Sequence, residues 1–149
     1  MPTDATATKD DTAQIRDRLN AWTRALHAKD LDALMALYGP DVVTFDLMPP
    51  HTVPDATQYR KNFQRWFAAM PGPIDYEIHD LRITTGGDVA FCHCLGHVTA
   101  TRQNGEKADY WVRVTVGFQK RQREWLMIHD HVSMPIDMET TKAVRTLQR

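Results

Sequence analysis

The sequence is short of several things, and each shortage removes a class of protein. It holds two cysteines, Cys92 and Cys94. They stand two apart on one predicted strand, badly placed to bridge each other. That argues against a disulfide-stapled secreted scaffold and for two free thiols in a reducing cytosol. No apolar run approaches the ~20 residues that a membrane span needs, and the opening stretch MPTDATATKDDT has no signal-peptide core. A cytoplasmic protein without a membrane partner is therefore expected. Neither sign of charge dominates: the formal net charge is −1, which gives no reason to expect nucleic acid as a partner. Neither a dinucleotide-binding glycine fingerprint nor a flavin motif occurs, so no cofactor is expected. Internal repeats and low-complexity tracts are also missing.

What remains is the composition of an ordinary globular protein: 149 residues, 42% hydrophobic and 25% charged, enough chain for one domain with its own core. Seven histidines are the unusual count. Residues 1–11 are small and polar and read as a disordered tail. A helix is predicted from about Thr12, where Ile15, Leu19, Trp22 and Leu26 form one apolar stripe at spacings of four, three and four. Leu31 to Tyr38 repeats the pattern until Gly39-Pro40 stops it. The segment 41–46, DVVTFD, reads as a short strand broken by Pro49-Pro50. A third helix follows with Tyr59, Phe63, Trp66 and Phe67 on its inner face, ended by Pro71-Gly-Pro73.

From Ile74 on, the pattern is that of strands. Alternation through Ile74, Tyr76 and Ile78 gives way to Leu81 and Ile83, which predicts a bulge near Asp80. Gly86-Gly87-Asp88 and Gln103-Asn-Gly-Glu106 are predicted turns. The last two strands occupy YWVRVTVGFQKRQREWLMIHDHVSM, Tyr110 to Met134, joined by a turn at Lys120 to Glu124. Successive strand residues point to opposite faces. Strict alternation puts Val112, Val114, Val116 and Phe118 on one face and Trp111, Arg113 and Thr115 on the other. On the final strand it groups Trp125, Met127, His129, His131 and Ser133 against Leu126, Ile128 and Val132. A solvated face would carry Lys, Glu and Thr; the mixture of Trp, Arg, His and Ser reads as the lining of a pocket. The predicted fold is α+β, three helices packed in a strongly curved antiparallel sheet, with the domain at 12–134 and a polar tail at 135–149.

The order of elements, the front segment HAKDLDALMALYGPDVVTFD and the final WLMIHDHVS together resemble the SnoaL-like members of the nuclear-transport-factor-2-like (cone) superfamily. The final strand is similar to that of the association domains of calcium/calmodulin-dependent kinases, and the front resembles the ketosteroid isomerases. The resemblance implies a cone fold, a small-molecule pocket and a homodimer through the outer sheet face. It also implies that Asp46, at the end of the first strand, is a catalytic base. The sequence departs from the isomerases at both oxyanion donors. Trp22 stands where that family has a first-helix Tyr, and the strand around Thr115 has no carboxyl group.

Each candidate has a plain reading beside the chemical one. Asp46 is either a base that takes a proton from an acidic carbon or a surface residue capping the loop before Pro49. Arg113 and His131 are the expected electrophilic partners of Asp46; Arg113 is equally readable as a structural partner of a pocket carboxylate. His129 shares a face with His131, and His93 with His97. Four inward histidines would suit zinc, but no carboxylate is spaced to orient them, and no metal is expected. Trp22, Phe63, Trp66, His93, Trp111, Thr115, Met127, His129 and Ser133 complete the expected lining. Cys92 and Cys94 read as small buried hydrophobes. Two functions stay open: a cofactor-independent isomerase or cyclase/hydratase acting on an apolar carbonyl compound, and a module that binds a small, partly anionic ligand or self-associates.

Overall fold

The computed structural model describes residues 5–147, with side chains from Asp11 onward. Helix α1 spans Ala5–Ala28 and buries Ile15, Leu19 and Leu26, the predicted stripe. It begins inside the stretch expected to be a disordered tail; the expectation for residues 1–4 lies outside the described residues. Lys29 ends it in the left-handed region, at φ 54°, with its amide bonded to the Leu26 carbonyl. Asp30 caps the one-turn α2 (Leu31–Met35) by accepting from the Ala33 amide at 3.0 Å, and Asp55 caps α3 (Ala56–Ala69) by accepting from Gln58 N at 2.9 Å. Each such cap contributes about 1 kcal/mol.

Helix α2 is shorter than its sequence suggests. Tyr38, expected to be helical, already belongs to strand β1 (Tyr38–Phe45), and Gly39-Pro40 lies inside that strand. The strand tolerates Pro40 because the register against its neighbour is interrupted between Tyr38 and Val43, so no ladder bond is lost there. After the two-residue β2 (Thr52–Val53) and α3 come β3 (Asp75–Gly86), β4 (Val89–Thr101), β5 (Lys107–Arg121) and β6 (Glu124–Ser133). The sheet order is β2-β1-β6-β5-β4-β3. Strands β3 to β6 form the expected antiparallel meander, but β1 lies parallel to β6, so the sheet is mixed. The register breaks between His79 and Arg82, with Asp80 at φ 55°, where the bulge was predicted. Gly87 takes φ 59° in the β3–β4 turn.

The sheet curves over the helices, and the core fills the space between. Val112, Val114, Val116, Phe118, Trp125 and Met127 are buried there with Leu26, Leu34, Phe63 and Ile74. The final segment folds back onto the sheet. An isolated bridge joins Ile136 and Ala143, Asp137 caps the turn between them, and the Trp111 amide donates to the Arg145 carbonyl at 2.8 Å. The chain thereby returns across β5.

Candidate functional site

A cavity of about 500 Å³ lies inside the cone, within the roughly 300–1,000 Å³ usual for small-molecule sites. Its walls are largely apolar: Leu19, Trp22, Phe63, Trp66, Ile78, Val112, Val114, Val116 and Met127, with Met134 from the returning C-terminal segment; Arg102 and Arg145 add two cations. The polar lining is sparse and comes mainly from β1, α3 and β6: Tyr38, Asp46, Tyr59, Asn62 and Asp130.

Asp46 follows β1 directly, and its amide bonds the His51 carbonyl at 2.8 Å, closing the loop through Pro49-Pro50. One carboxylate oxygen accepts from the Leu47 amide at 2.7 Å, the other from Asn62 Nδ2 at 2.7 Å. Asn62, buried on α3, is itself held by Arg65, which donates to its Oδ1 at 2.5 Å and also bonds the Pro49 carbonyl. The loop and the helix thus fix Asp46 on the wall from two sides.

Asp130 is the second acid and is buried on β6. Tyr59 donates to its Oδ2 at 3.0 Å, while its Oδ1 has no hydrogen-bond partner among the described residues. Burial pushes its carboxyl up to about 7; the Asp46 charge adds to the rise, and the hydroxyls of Tyr59 and Tyr38 partly offset it. Tyr38 accepts from Trp22 Nε1 at 2.7 Å, and its ring meets Tyr59 edge-on at 5.2 Å. Burial raises both tyrosines well above their ordinary range, so both stay neutral donors. Beside Asp130 on the parallel strand stands Thr44, also buried, whose hydroxyl is likewise without a partner among the described residues. A buried polar atom left unpaired costs free energy.

Of the expected site residues, Asp46, Trp22, Phe63, Trp66 and Met127 line the cavity. The others do not. Arg113, Thr115, His93 and His131 are exposed, and Trp111, His129 and Ser133 sit with them on the outer face of the sheet. Arg113 bonds Ser133 at 3.2 Å and makes no pair with Asp46. His129 bonds the Val43 carbonyl at 2.7 Å, and Phe45 packs edge-on against both His129 and His131. Two physical reasons account for the inversion. The space between helices and sheet is lined by the aliphatic face of β5, since a ligand cavity is walled by apolar side chains with few polar ones. On β6, Gly117 pairs with His129 while the next residue, Phe118, pairs with Met127, so Ile128 is an extra residue. A bulge of this kind breaks the alternation. It leaves Trp125 and Met127 inside, turns His129 and His131 outward, and brings Asp130 inward. Sequence reasoning misses Asp130 for that reason; its signal is an acid that strict alternation would group with Leu126, Ile128 and Val132 on the apolar face of β6.

Cys92 and Cys94 are free and buried, with their thiols pushed up to about 12 by burial. Tyr76 lies across β4 at Gly96, where an added Cβ would fall 2.1 Å from its hydroxyl. Gly96 thus gives the Tyr76 ring its place on the wall.

A curved sheet closed by helices around an apolar cavity defines the cone fold. The chain belongs to the SnoaL-like domain family, whose model matches residues 15–137. Among proteins of curated function none matches. Similar solved structures include a nuclear-transport-factor-2-like protein of unknown function from Pseudomonas putida KT2440, 28% identical, with TM-score 0.86 over 95% of this chain and 98% of that one. A proposed dehydratase of the nuclear-transport-factor-2-like family from Streptomyces avermitilis is 16% identical, with TM-score 0.75 over 85% of this chain and 97% of that one. The association domain of C. elegans CaMKII is 16% identical, with TM-score 0.69 over 85% and 98%. The latter two likenesses speak for the fold.

Proposed function

We propose that the chain is a cofactor-independent enzyme of proton transfer, an isomerase or a hydratase/dehydratase, acting on a small apolar carbonyl compound. The observation that carries this reading is Asp130: a buried carboxyl that titrates near neutrality and leaves one oxygen unpaired beside the cavity. Carboxyl groups tuned this way can both give and take protons at working pH. Asp46 is the base that removes a proton from carbon. Asp130, in its protonated form and steadied by Tyr59, donates to the developing oxyanion, the part that the sequence pattern suggests for Arg113 and His131.

A panel of model ketones stands in for the natural substrate in the test. Small cyclic and aryl ketones are incubated with the protein in D2O, and exchange at the α-carbon is followed by NMR. Exchange well above the uncatalysed rate is expected for ketones that bind, with loss in Asp46→Asn and in Asp130→Asn. Ketones that bind without any enhanced exchange would replace the enzyme by the alternative, a ligand-binding module.

A homodimer through the outer sheet face is part of the same reading. Val43, Phe45, Val89 and Phe91 are exposed there, and apolar surface of this kind favours a partner. Sedimentation should give a dimer at micromolar concentration, and Phe45→Glu should shift it to monomer. Free thiols at Cys92 and Cys94 suit work in the cytoplasm. Among the described residues no helix is long and apolar enough to cross a membrane.

A further inference from the structure

The outer face carries a second constellation, at the β3–β4 edge of the sheet, that the cavity chemistry does not use. Glu77 and His79 stand two apart on β3, His97 pairs with Glu77 across the ladder, and Trp111 pairs with His97 from β5. Strand parity therefore puts all four on one face. His79 Nε2 lies 3.2 Å from Glu77 Oε2, and His97 Nδ1 lies 3.8 Å from Glu77 Oε1. Donor atoms of the three residues all fall within 4.8 Å of one another.

The geometry points to a surface site for a divalent transition metal, Zn2+ in the first instance, with Glu77, His79 and His97 as ligands. Three features go beyond simple proximity. Ligand atoms at roughly 2.0–2.2 Å around a tetrahedral ion are separated by roughly 3.3–3.5 Å, close to the spacings at Glu77. His97 Nε2 donates to Asp109 Oδ1 at 2.7 Å, which leaves the Nδ1 lone pair facing Glu77. That is the carboxylate–histidine–metal arrangement in which an outer carboxylate selects the tautomer and raises the basicity of the ligand. Finally, the Trp111 indole stacks on His97 with centroids 4.5 Å apart and planes 9° apart, and leans on His79 at 4.9 Å. Both imidazoles are thus held before any ion arrives. Three protein ligands leave at least one tetrahedral position open to water or to a group from a partner.

Asp109 supplies the orienting carboxylate that linear spacing along β4 does not reveal. It lies diagonally across the β4–β5 ladder from His97, twelve residues away in sequence.

The test uses the tag-free full chain, stripped with chelator and titrated with ZnCl2 by calorimetry. One equivalent is expected to bind with a Kd in the micromolar range or below. His79→Ala and His97→Ala should each weaken binding at least tenfold, and Asp109→Asn by roughly 10–100-fold, the usual effect of removing an orienting carboxylate. His129→Ala and His131→Ala should bind as the wild type does. Long-range 1H–15N spectra of the wild type should show His97 Nδ1 and His79 Nε2 shifting on ligation, a readout independent of whether any variant folds poorly. The site is overturned if Zn2+ does not saturate at one equivalent. It is equally overturned if His79→Ala and His97→Ala retain wild-type affinity, or if the shifts fall on other histidines. Both ligand variants leave the cavity untouched, so a failed metal site and a failed enzyme remain separate results.

Discussion

The two faces of the sheet use titratable groups in opposite ways. Outside, His79, His97, His129 and His131 each bond or pack against an acid, a carbonyl or an aromatic ring within reach of water. Inside, Asp130 is buried, is met by a tyrosine, and is pushed up to about 7. Many polar groups at ordinary hydration give a face able to bind ions or partners. A few in an apolar cavity give a site where one proton carries large free energy.

Four substitutions test that contrast. The largest expected effect is on turnover by Asp46→Asn. The amide keeps the shape but takes no proton, so exchange should fall by roughly 10²–10⁴-fold. The melting temperature should move little, because Asp46 is half-buried and its hydrogen bonds come from Leu47 N and Asn62 rather than a buried cation.

Next is Asp130→Asn, read as stability against pH. The folded pKa lies above an unfolded value of roughly 3.9, so the native state binds the extra proton. The stability that Asp130 contributes should be greatest below about pH 4, fall as pH rises through about 7, and level off beyond. Urea melts from pH 4 to 8, taken as the difference between wild type and variant, should show that slope. The difference approaches about 4 kcal/mol at most, since ~3 pKa units correspond to ~4 kcal/mol. A difference without the slope would mean that Asp130 is hydrated.

Gly96→Ala comes third. Its Cβ would meet the Tyr76 hydroxyl at 2.1 Å, and forcing a packed ring aside costs about 1–3 kcal/mol. Denaturation should show that loss, and the affinity for cavity ligands should fall with it. Smallest is Arg113→Ala. Its hydrogen bond to Ser133 is exposed, and the change should stay within about 0.5 kcal/mol, with ketone exchange unaltered. A large loss of exchange would return Arg113 to the reaction.

The fold was legible because its signals are local and redundant. The stripe Ile15, Leu19, Trp22, Leu26, the alternation of Val112, Val114 and Val116, and the glycine turns each state their element independently. Of the expected lining, Asp46, Trp22, Phe63, Trp66 and Met127 were legible, the aromatic ones from their helix faces and Asp46 from the family resemblance at the end of β1. Which face turns inward is decided by the helices that cover it, and strand parity is silent on that choice. The extra residue at Ile128 then removed the one rule available for β6. The parallel pairing of β1 with β6 is a relation between distant segments, which periodicity does not encode.

The returning C-terminal segment has a consequence for the charge of the cavity lining. Arg145 on that segment and Arg102 in the β4–β5 turn are the cationic residues of the lining, and both lower the pKa of the nearby Tyr110 hydroxyl against the rise that burial causes. Asp46 and Asp130 are the acidic residues. With both acids ionised the formal charges cancel, two positive against two negative. When Asp130 takes up its proton near pH 7, the balance becomes +1. One proton on Asp130 thus decides whether the lining is neutral or carries a net positive charge, and the segment that supplies Arg145 is what makes that balance possible.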